Sequence, residues 1–208
     1  MGRPGLNRTA VIAAAADLAD EIGFDAVTIS VLARHLGIKS PTLYSHITGA
    51  TDLRTAITAY VLDELADATS AAMAAGEGRD LLVAYADAIR DFARRSPGRY
   101  DATTRQRVPP AAESTSAPPS VDTAIAAGRR NADLALAVVR SYGITETNQT
   151  YAVRLMSSLI HGYITLELAG SFAHSEPSAE ATWIEAIDDL DRLLVGLAAR
   201  TSGINLVR

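Results

Sequence analysis

The sequence predicts an all-α protein of about nine helices: a small N-terminal three-helix unit and a larger helical part behind it. Three observations predict it. Ala is very abundant and stands among Leu, Glu, Asp and Arg, while β-branched runs of strand type are scarce. Apolar residues recur at spacings of three and four through most of the chain. The interruptions are Gly, Pro and capping residues placed where helices of ordinary length would end.

The first helix is expected over about 8–22. Asn7 caps it, Val11, Ala15, Leu18 and Ile22 recur on one face, and Gly23 ends it. Thr28 caps a second, about 29–36, stopped by Gly37. Ser40-Pro41 reads as an N-cap followed by Pro at the first helical position, opening a third helix over about 41–46. Thr51 caps a long fourth helix running to about Ala75, and Gly76-Glu77-Gly78 turns the chain. A fifth covers about 80–95, stopped by Ser96-Pro97-Gly98, and a short sixth covers about 99–105. Residues 106–120, rich in Pro, Ser, Thr and Ala, read as a loop. The seventh, eighth and ninth are expected over about 120–142, 146–172 and 178–199. Domain 1–50 is thus the three-helix unit and 51–208 the larger part.

Composition excludes several classes. With no Cys, there are no disulfides, thiolate metal sites or cysteine nucleophiles. The four His show no metal spacing, and no Gly-rich phosphate loop exists, so neither metal, cofactor nor enzymatic activity is expected. His161 and Glu167, six residues apart, point to different faces of one helix. The most apolar stretch, Leu155–Phe172, contains His161 and Glu167 and is too polar for a membrane span, so the chain is expected to be cytoplasmic without a membrane partner.

Net charge is −5, but its distribution matters more than its sum. Residues 26–51 carry Arg34, His35, His46 and Lys39, the one Lys in the chain, and no acid. Within this stretch Ala33 and Gly37 let the second and third helices cross closely. Ile38, Leu43 and Ile47 point inward. Lys39, Pro41, Thr42, Tyr44, Ser45 and His46 stay outside. That is a helix-turn-helix arrangement whose hydroxyl-rich face suits phosphates and base edges. A purely structural hairpin would share the periodicity; the N-terminal position and the acid-free face favour DNA. The expected contacts are Thr42, Ser45 and Pro41 near the bases, with Arg8, Thr28, Lys39, Ser40, Tyr44 and His46 at or beside the phosphates.

Residues about 7–54 resemble the DNA-binding domain of the TetR family of transcriptional regulators. Thr28, Ala33, Leu36, Gly37, Leu43, Tyr44 and His46 carry the resemblance, and Leu-Tyr-x-His is its most specific part. Ile47 and Ala50 depart from the commoner pattern of an aromatic and a Lys, which removes a phosphate contact at 50. The stretch LIHGYITLELAGSF, 159–172, resembles a second signature, of a family branch with a ligand-binding domain built around a His-Gly pair, here His161-Gly162. The Trp that often precedes this pair is read as replaced at Ser157.

The resemblance implies a homodimer on near-palindromic double-stranded operator DNA, responding to a small-molecule effector. Trp183, Ile187, Leu190, Leu194 and Leu197 form one apolar seam, and Leu159 and Tyr163 add to it, as a subunit interface; an intramolecular core seam is the competing explanation. Candidate pocket linings are Tyr85, Ile89, Phe92, Tyr100, Asn131, Val138, Met156 and His161. Asn131 can equally bond a neighbouring backbone group, and His161 can be a structural hydrogen-bonding residue. The pocket is expected to reach the DNA-binding unit through the fourth helix alone. The function expected is a repressor released by a small, largely apolar effector. The alternatives are a helical interaction module or a regulator that answers to no ligand.

Overall fold

The computed structural model describes residues 6–105, 118 and 120–203. Among these are nine α-helices: α1 (Arg8–Ile22), α2 (Ile29–His35), α3 (Ser40–Leu43), α4 (Ala50–Ala72), α5 (Gly78–Arg95), α6 (Pro97–Arg105), α7 (Ser120–Ser141), α8 (Glu146–Leu168) and α9 (Ala179–Gly203). Single 3-10 turns follow α1 at Phe24–Ala26 and α4 at Met73–Ala75. None of the described helices is long and apolar enough to cross a membrane. Of the loop expected at 106–120, residues 106–117 and 119 lie outside the described residues.

The helix ends follow the chemistry of their caps. Asn7 Oδ1 accepts from Ala10 N at 2.9 Å and Thr28 Oγ1 from Val31 N at 3.3 Å, as their positions predict. Several boundaries differ from expectation, most tellingly at α3 and α8. In α3 the helix begins at Ser40 itself and Lys39 occupies the cap position without a side-chain bond. The regular helix ends at Leu43, and the chain turns through Tyr44–His46. Four residues are too few to satisfy their own backbone, so neighbours must hold this segment. Helix α8 stops at Leu168, short of 172, because Gly170 enters the left-handed region at φ 74°. Ser171 N then bonds Leu166 O and Gly170 N bonds Glu167 O, each at 2.9 Å, closing a Schellman end.

Compactness groups the chain into two units, one of Met1–Ala66 with Arg95–Asn131, the other of Asp67–Arg94 with Ala132–Arg208. The first unit therefore holds α1–α3, most of α4, α6 and the first half of α7. Its core contains Val11, Ala15, Leu18, Phe24, Leu32, Leu43, Ile47, Leu53, Ile57 and Tyr100, all buried. Helix α6 lies directly on α1, in contact tight enough to require Gly98: a Cβ there would stand 1.8 Å from Ala19 O. Beside it, Arg99 N donates to Asp20 Oδ1 at 2.9 Å, and the Arg99 guanidinium reaches Asp20 Oδ2 at 2.8 Å and Asp17 Oδ1 at 2.6 Å. Thr58 Oγ1 on α4 donates to Ala102 O at 3.1 Å. The effector part was expected to meet the three-helix unit through the fourth helix alone. Instead α6 touches α1 itself, because a glycine lets two backbones approach.

The second unit is built on the buried faces of α5 (Leu81, Leu82, Tyr85, Ile89, Phe92), α7 (Ala135, Val138, Val139), α8 (Ala152, Met156, Ile160, Ile164) and α9 (Trp183, Ile187, Leu190, Leu194, Leu197). The α9 seam is thus part of this unit's own core; Leu194 is 0% exposed in the single chain. An apolar stripe on a helix does not say whose surface it meets, and here it meets its own chain. Outward on the same two helices stand Tyr151, Leu166, Ile184 and Val195.

Two glycines with opposite surroundings test this packing. Gly98→Ala should destabilise the first unit by about 1–3 kcal/mol through overpacking against Ala19. Gly128→Ala, in α7 with nothing within 4 Å of a new Cβ, should stabilise by about 0.5–1 kcal/mol. Urea unfolding midpoints of the two variants should move in opposite directions; equal shifts would contradict the α1–α6 contact.

Candidate nucleic-acid interface and ligand-binding region

Gly37, at φ 67°, sets the angle between α2 and α3. Gly37 N bonds Arg34 O at 3.1 Å and Ile38 N bonds Ala33 O at 3.0 Å, which ends α2 and redirects the chain at once. Buried Leu43 and Ile47 then anchor α3 on one side. The other side is left to solvent: Lys39, Pro41, Thr42, Tyr44 and Ser45 are exposed and Ser40 and His46 half-buried. Tyr44 is 57% exposed, far more than a ring of its size reaches in a core. Ser45 Oγ donates to Thr42 O at 2.7 Å, which leaves the oxygen's acceptor capacity unused by that bond. Thr28 is exposed and caps α2 with its oxygen. Seven of these residues, 39–42 and 44–46 without Leu43, lie along one short segment that carries no acid.

Arg8 does not join them. Its Nη2 lies 2.8 Å from Asp52 Oδ1 and its Nη1 3.0 Å from Asp52 Oδ2, a two-pronged pair, and Nη1 also donates to His46 O. The expected phosphate contact is therefore corrected to an internal clamp: a guanidinium matched to a carboxylate that is 1% exposed is committed to it. Asp52 was not among the residues singled out from the sequence. The signal was present, since Asp52 is the acid that closes the acid-free stretch at the first turn of α4. Its carboxylate also accepts from Thr48 N and from Ser120 Oγ, each at 2.8 Å. Burial alone would raise its pKa. The bonds from Arg8, Thr48 and Ser120 overcome that and hold it at about 2.

Six of the expected pocket residues lie in the second unit. Tyr85, Ile89, Phe92, Val138 and Met156 are buried there and His161 is half-buried. Burial pushes the Tyr85 phenol up to about 12, against a hydrogen bond from Ser157, and pushes His161 below its ordinary value. Tyr100 and Asn131 belong to the first unit, where Tyr100 is 1% exposed. Asn131 Nδ2 donates to Leu62 O at 2.8 Å and Ala127 O at 2.9 Å, so its amide ties α7 to α4. The Asn131 amide thus bonds neighbouring backbone.

Leu166-Glu167-Leu168 has a physical explanation in Glu167. Its carboxylate takes two bonds from buried Arg90, at 2.7 and 2.9 Å, and one from Arg94 at 2.9 Å. Those arginines hold its pKa below the ordinary range, against burial. The Arg90 guanidinium also lies 4.7 Å from the Trp183 ring centre. Of the expected interface residues, Tyr163 is occupied internally: its hydroxyl bonds Ala179 O at 2.6 Å and its ring packs on Phe172 and Trp183. Leu159 is half-buried.

Residues 11–56 match the profile of bacterial regulatory proteins of the tetR family, and residues 82–190 that of the tetracyclin repressor-like C-terminal domain. The chain is 32% identical over 203 residues to an uncharacterised HTH-type transcriptional regulator of Mycobacterium tuberculosis, covering 97% of this chain and 87% of that protein. Among solved structures it is similar to a protein of unknown function from a Rhodococcus species, with TM-score 0.72 and 21% identity over 93% of this chain and 97% of that one. It is also similar to a TetR variant from Acinetobacter baumannii in complex with minocycline, with TM-score 0.57 and 23% identity over 96% and 98%. The two structural likenesses speak for the fold.

Asp52 predicts an acid-sensitive step. Its folded pKa of about 2 lies below the ordinary 3.8, so its stabilisation is present above about pH 4 and lost as pH falls toward 2. The loss should be about 2 kcal/mol. Unfolding free energies measured from pH 5 to pH 2 should show this step, and Asp52→Asn should lack it.

Proposed function

The chain belongs to the TetR family of DNA-binding transcriptional regulators, and we propose that it acts as a homodimeric repressor released from a near-palindromic operator by a small, largely apolar effector. The observation that carries the DNA-binding surface is the outward face of α3: exposed, acid-free and rich in hydroxyls, over a base of buried Leu43 and Ile47. Thr42, Ser45 and Pro41 meet base edges in the major groove. Thr28, Lys39, Ser40, Tyr44 and His46 serve the phosphates and fix register. Such a protein works in the cytoplasm, where its operator is.

In functional terms residues 1–50 read DNA and residues 51–208 bind effector and dimerise. The effector site is proposed within the second unit, at Tyr85, Ile89, Phe92, Val138, Met156 and His161. Two observations support it. These side chains are buried or half-buried and mostly apolar with a few polar groups among them, the composition usual for a small-molecule site. The Acinetobacter baumannii relative carries minocycline. We place the chain in the branch with the His-Gly pair, on His161-Gly162 and on the role of Glu167 in anchoring Arg90. An effector relieves repression only if it binds the state that cannot hold DNA more tightly than the state that can.

One recognition helix covers one half-site, so a second copy is needed for the next turn of the duplex, about 34–36 Å away. The proposed contact is the outward face of α8 and α9, with Leu159, Leu166, Ile184 and Val195. It replaces the α9 seam, which the subunit already buries.

Two experiments test this. Lys39→Ala should weaken binding to random duplex DNA and lower the salt slope by about 1, because one phosphate contact is lost. Thr42→Ala should instead change preference at one position of a selected site, by about 1–3 kcal/mol. Unchanged affinity and slope in Lys39→Ala would remove α3 from the DNA. For assembly, Leu166→Asp should give folded monomers in sedimentation, whereas Leu194→Asp should lose the folded state, since it buries a charge in the core. A dimeric Leu166→Asp protein would put the interface elsewhere.

A further inference from the structure

The segment from Tyr44 to Gly49 has no regular helix of its own, yet it carries the end of the DNA-facing surface. Two of its backbone groups are held by side chains from outside. His46 O accepts from Arg8 Nη1, and Thr48 N donates to Asp52 Oδ2 at 2.8 Å. Both side chains meet at the Asp52 carboxylate, which takes four bonds in all: two from Arg8, one from Thr48 N and one from Ser120 Oγ at 2.8 Å. That fills the acceptor capacity of a carboxylate.

Ser120 is the member without a local reason to be there. A Ser side chain near a helix start can bond backbone groups of its own segment. Ser120, the first residue of α7, instead donates across to α4, to Asp52 Oδ1 and, at 3.3 Å, to Asp52 O. It is 4% exposed, so water does not compete for that bond. Helix α7 continues unbroken to Ser141 and carries Val138, one of the proposed effector residues. Its first residue therefore bonds the same carboxylate that holds the end of the DNA-facing segment.

We propose that Ser120, Asp52 and Arg8 form a positioning relay through which the placement of α7 sets the backbone at His46–Thr48. Asp52 is the positioning residue, and Ser120 is the point where α7 enters. The proposal rests on the DNA-facing role assigned to α3, and its chemistry is directional. If α7 shifts away, the Ser120 hydroxyl leaves Asp52 and one acceptor site of a buried carboxylate is left empty. Arg8 and Thr48 then readjust: Arg8 is bonded to His46 O, and Thr48 itself belongs to the segment that must fit the groove. A relay of this kind needs no contact between effector and DNA-facing residues.

The test uses the full chain and two nearly isosteric replacements, Ser120→Thr, which keeps the hydroxyl, and Ser120→Val, which lacks it. Amide hydrogen exchange at Thr48 and affinity for a random-sequence duplex are measured for each. Ser120→Val should speed Thr48 exchange about tenfold and weaken DNA binding about fivefold or more. The salt slope should stay constant, since no phosphate contact is removed. Ser120→Thr should stay near the parent on both readouts. In an Asp52→Ala background, where the shared acceptor is gone, Ser120→Val should add little further, because the two changes remove one bond. Unchanged Thr48 exchange in Ser120→Val, or additive effects in the double variant, would overturn the relay. Faster Thr48 exchange in a chain whose parent binds no duplex would uphold the relay and sink the DNA-facing role of α3.

Discussion

A buried carboxylate must have its lone pairs filled, and in this protein that requirement organises the DNA-facing unit. Asp52 is 1% exposed and accepts four hydrogen bonds, from the start of α1, the end of the α3 segment and the start of α7. Losing any partner would leave a charge in a low-dielectric site with an empty acceptor, which costs far more than a surface ion pair contributes. Helices α2 and α3, of seven and four residues, have too few internal bonds to be stable alone. Their geometry is imposed from both sides. The Schellman turn at Gly37 fixes the entry to α3, and Arg8 with Asp52 fixes the exit at His46 and Thr48.

The same device recurs with different partners. Arg99 on α6 meets Asp17 and Asp20 on α1 and lies 3.2 Å from Glu64 on α4. Gly98 beside it removes the side chain that would hold the two backbones apart. In the second unit Arg90, 3% exposed, is held by Glu167 and Glu180 and covered by the Trp183 ring. Each of these arginines joins three elements where an apolar side chain would only fill space. Apolar burial makes the units compact, and the directional bonds of a guanidinium choose one arrangement of helices among several of similar area.

The sequence by itself determined the fold class, the nine helices among the described residues and the family, because these rest on local chemistry. Helical periodicity, the caps Asn7 and Thr28 and the glycine stop at Gly37 are each decided within a few residues of chain. The outward face of α3 was legible for the same reason: on a short helix, inward Leu43 and Ile47 leave only one side for Thr42, Tyr44 and Ser45. What only the tertiary structure decided was which surface or charge each side chain meets. Arg8 reads as a basic residue near DNA until Asp52, 44 positions later, takes it up. Trp183, Ile187, Leu190, Leu194 and Leu197 form an apolar stripe that would suit a partner subunit or the chain's own core equally well. Asn131 has the same amide whether it faces a ligand or Leu62 O. Periodicity records that a face is apolar, and residue type records that a group is charged or can bond; the partner is chosen by packing over long sequence separations, which neither of them encodes.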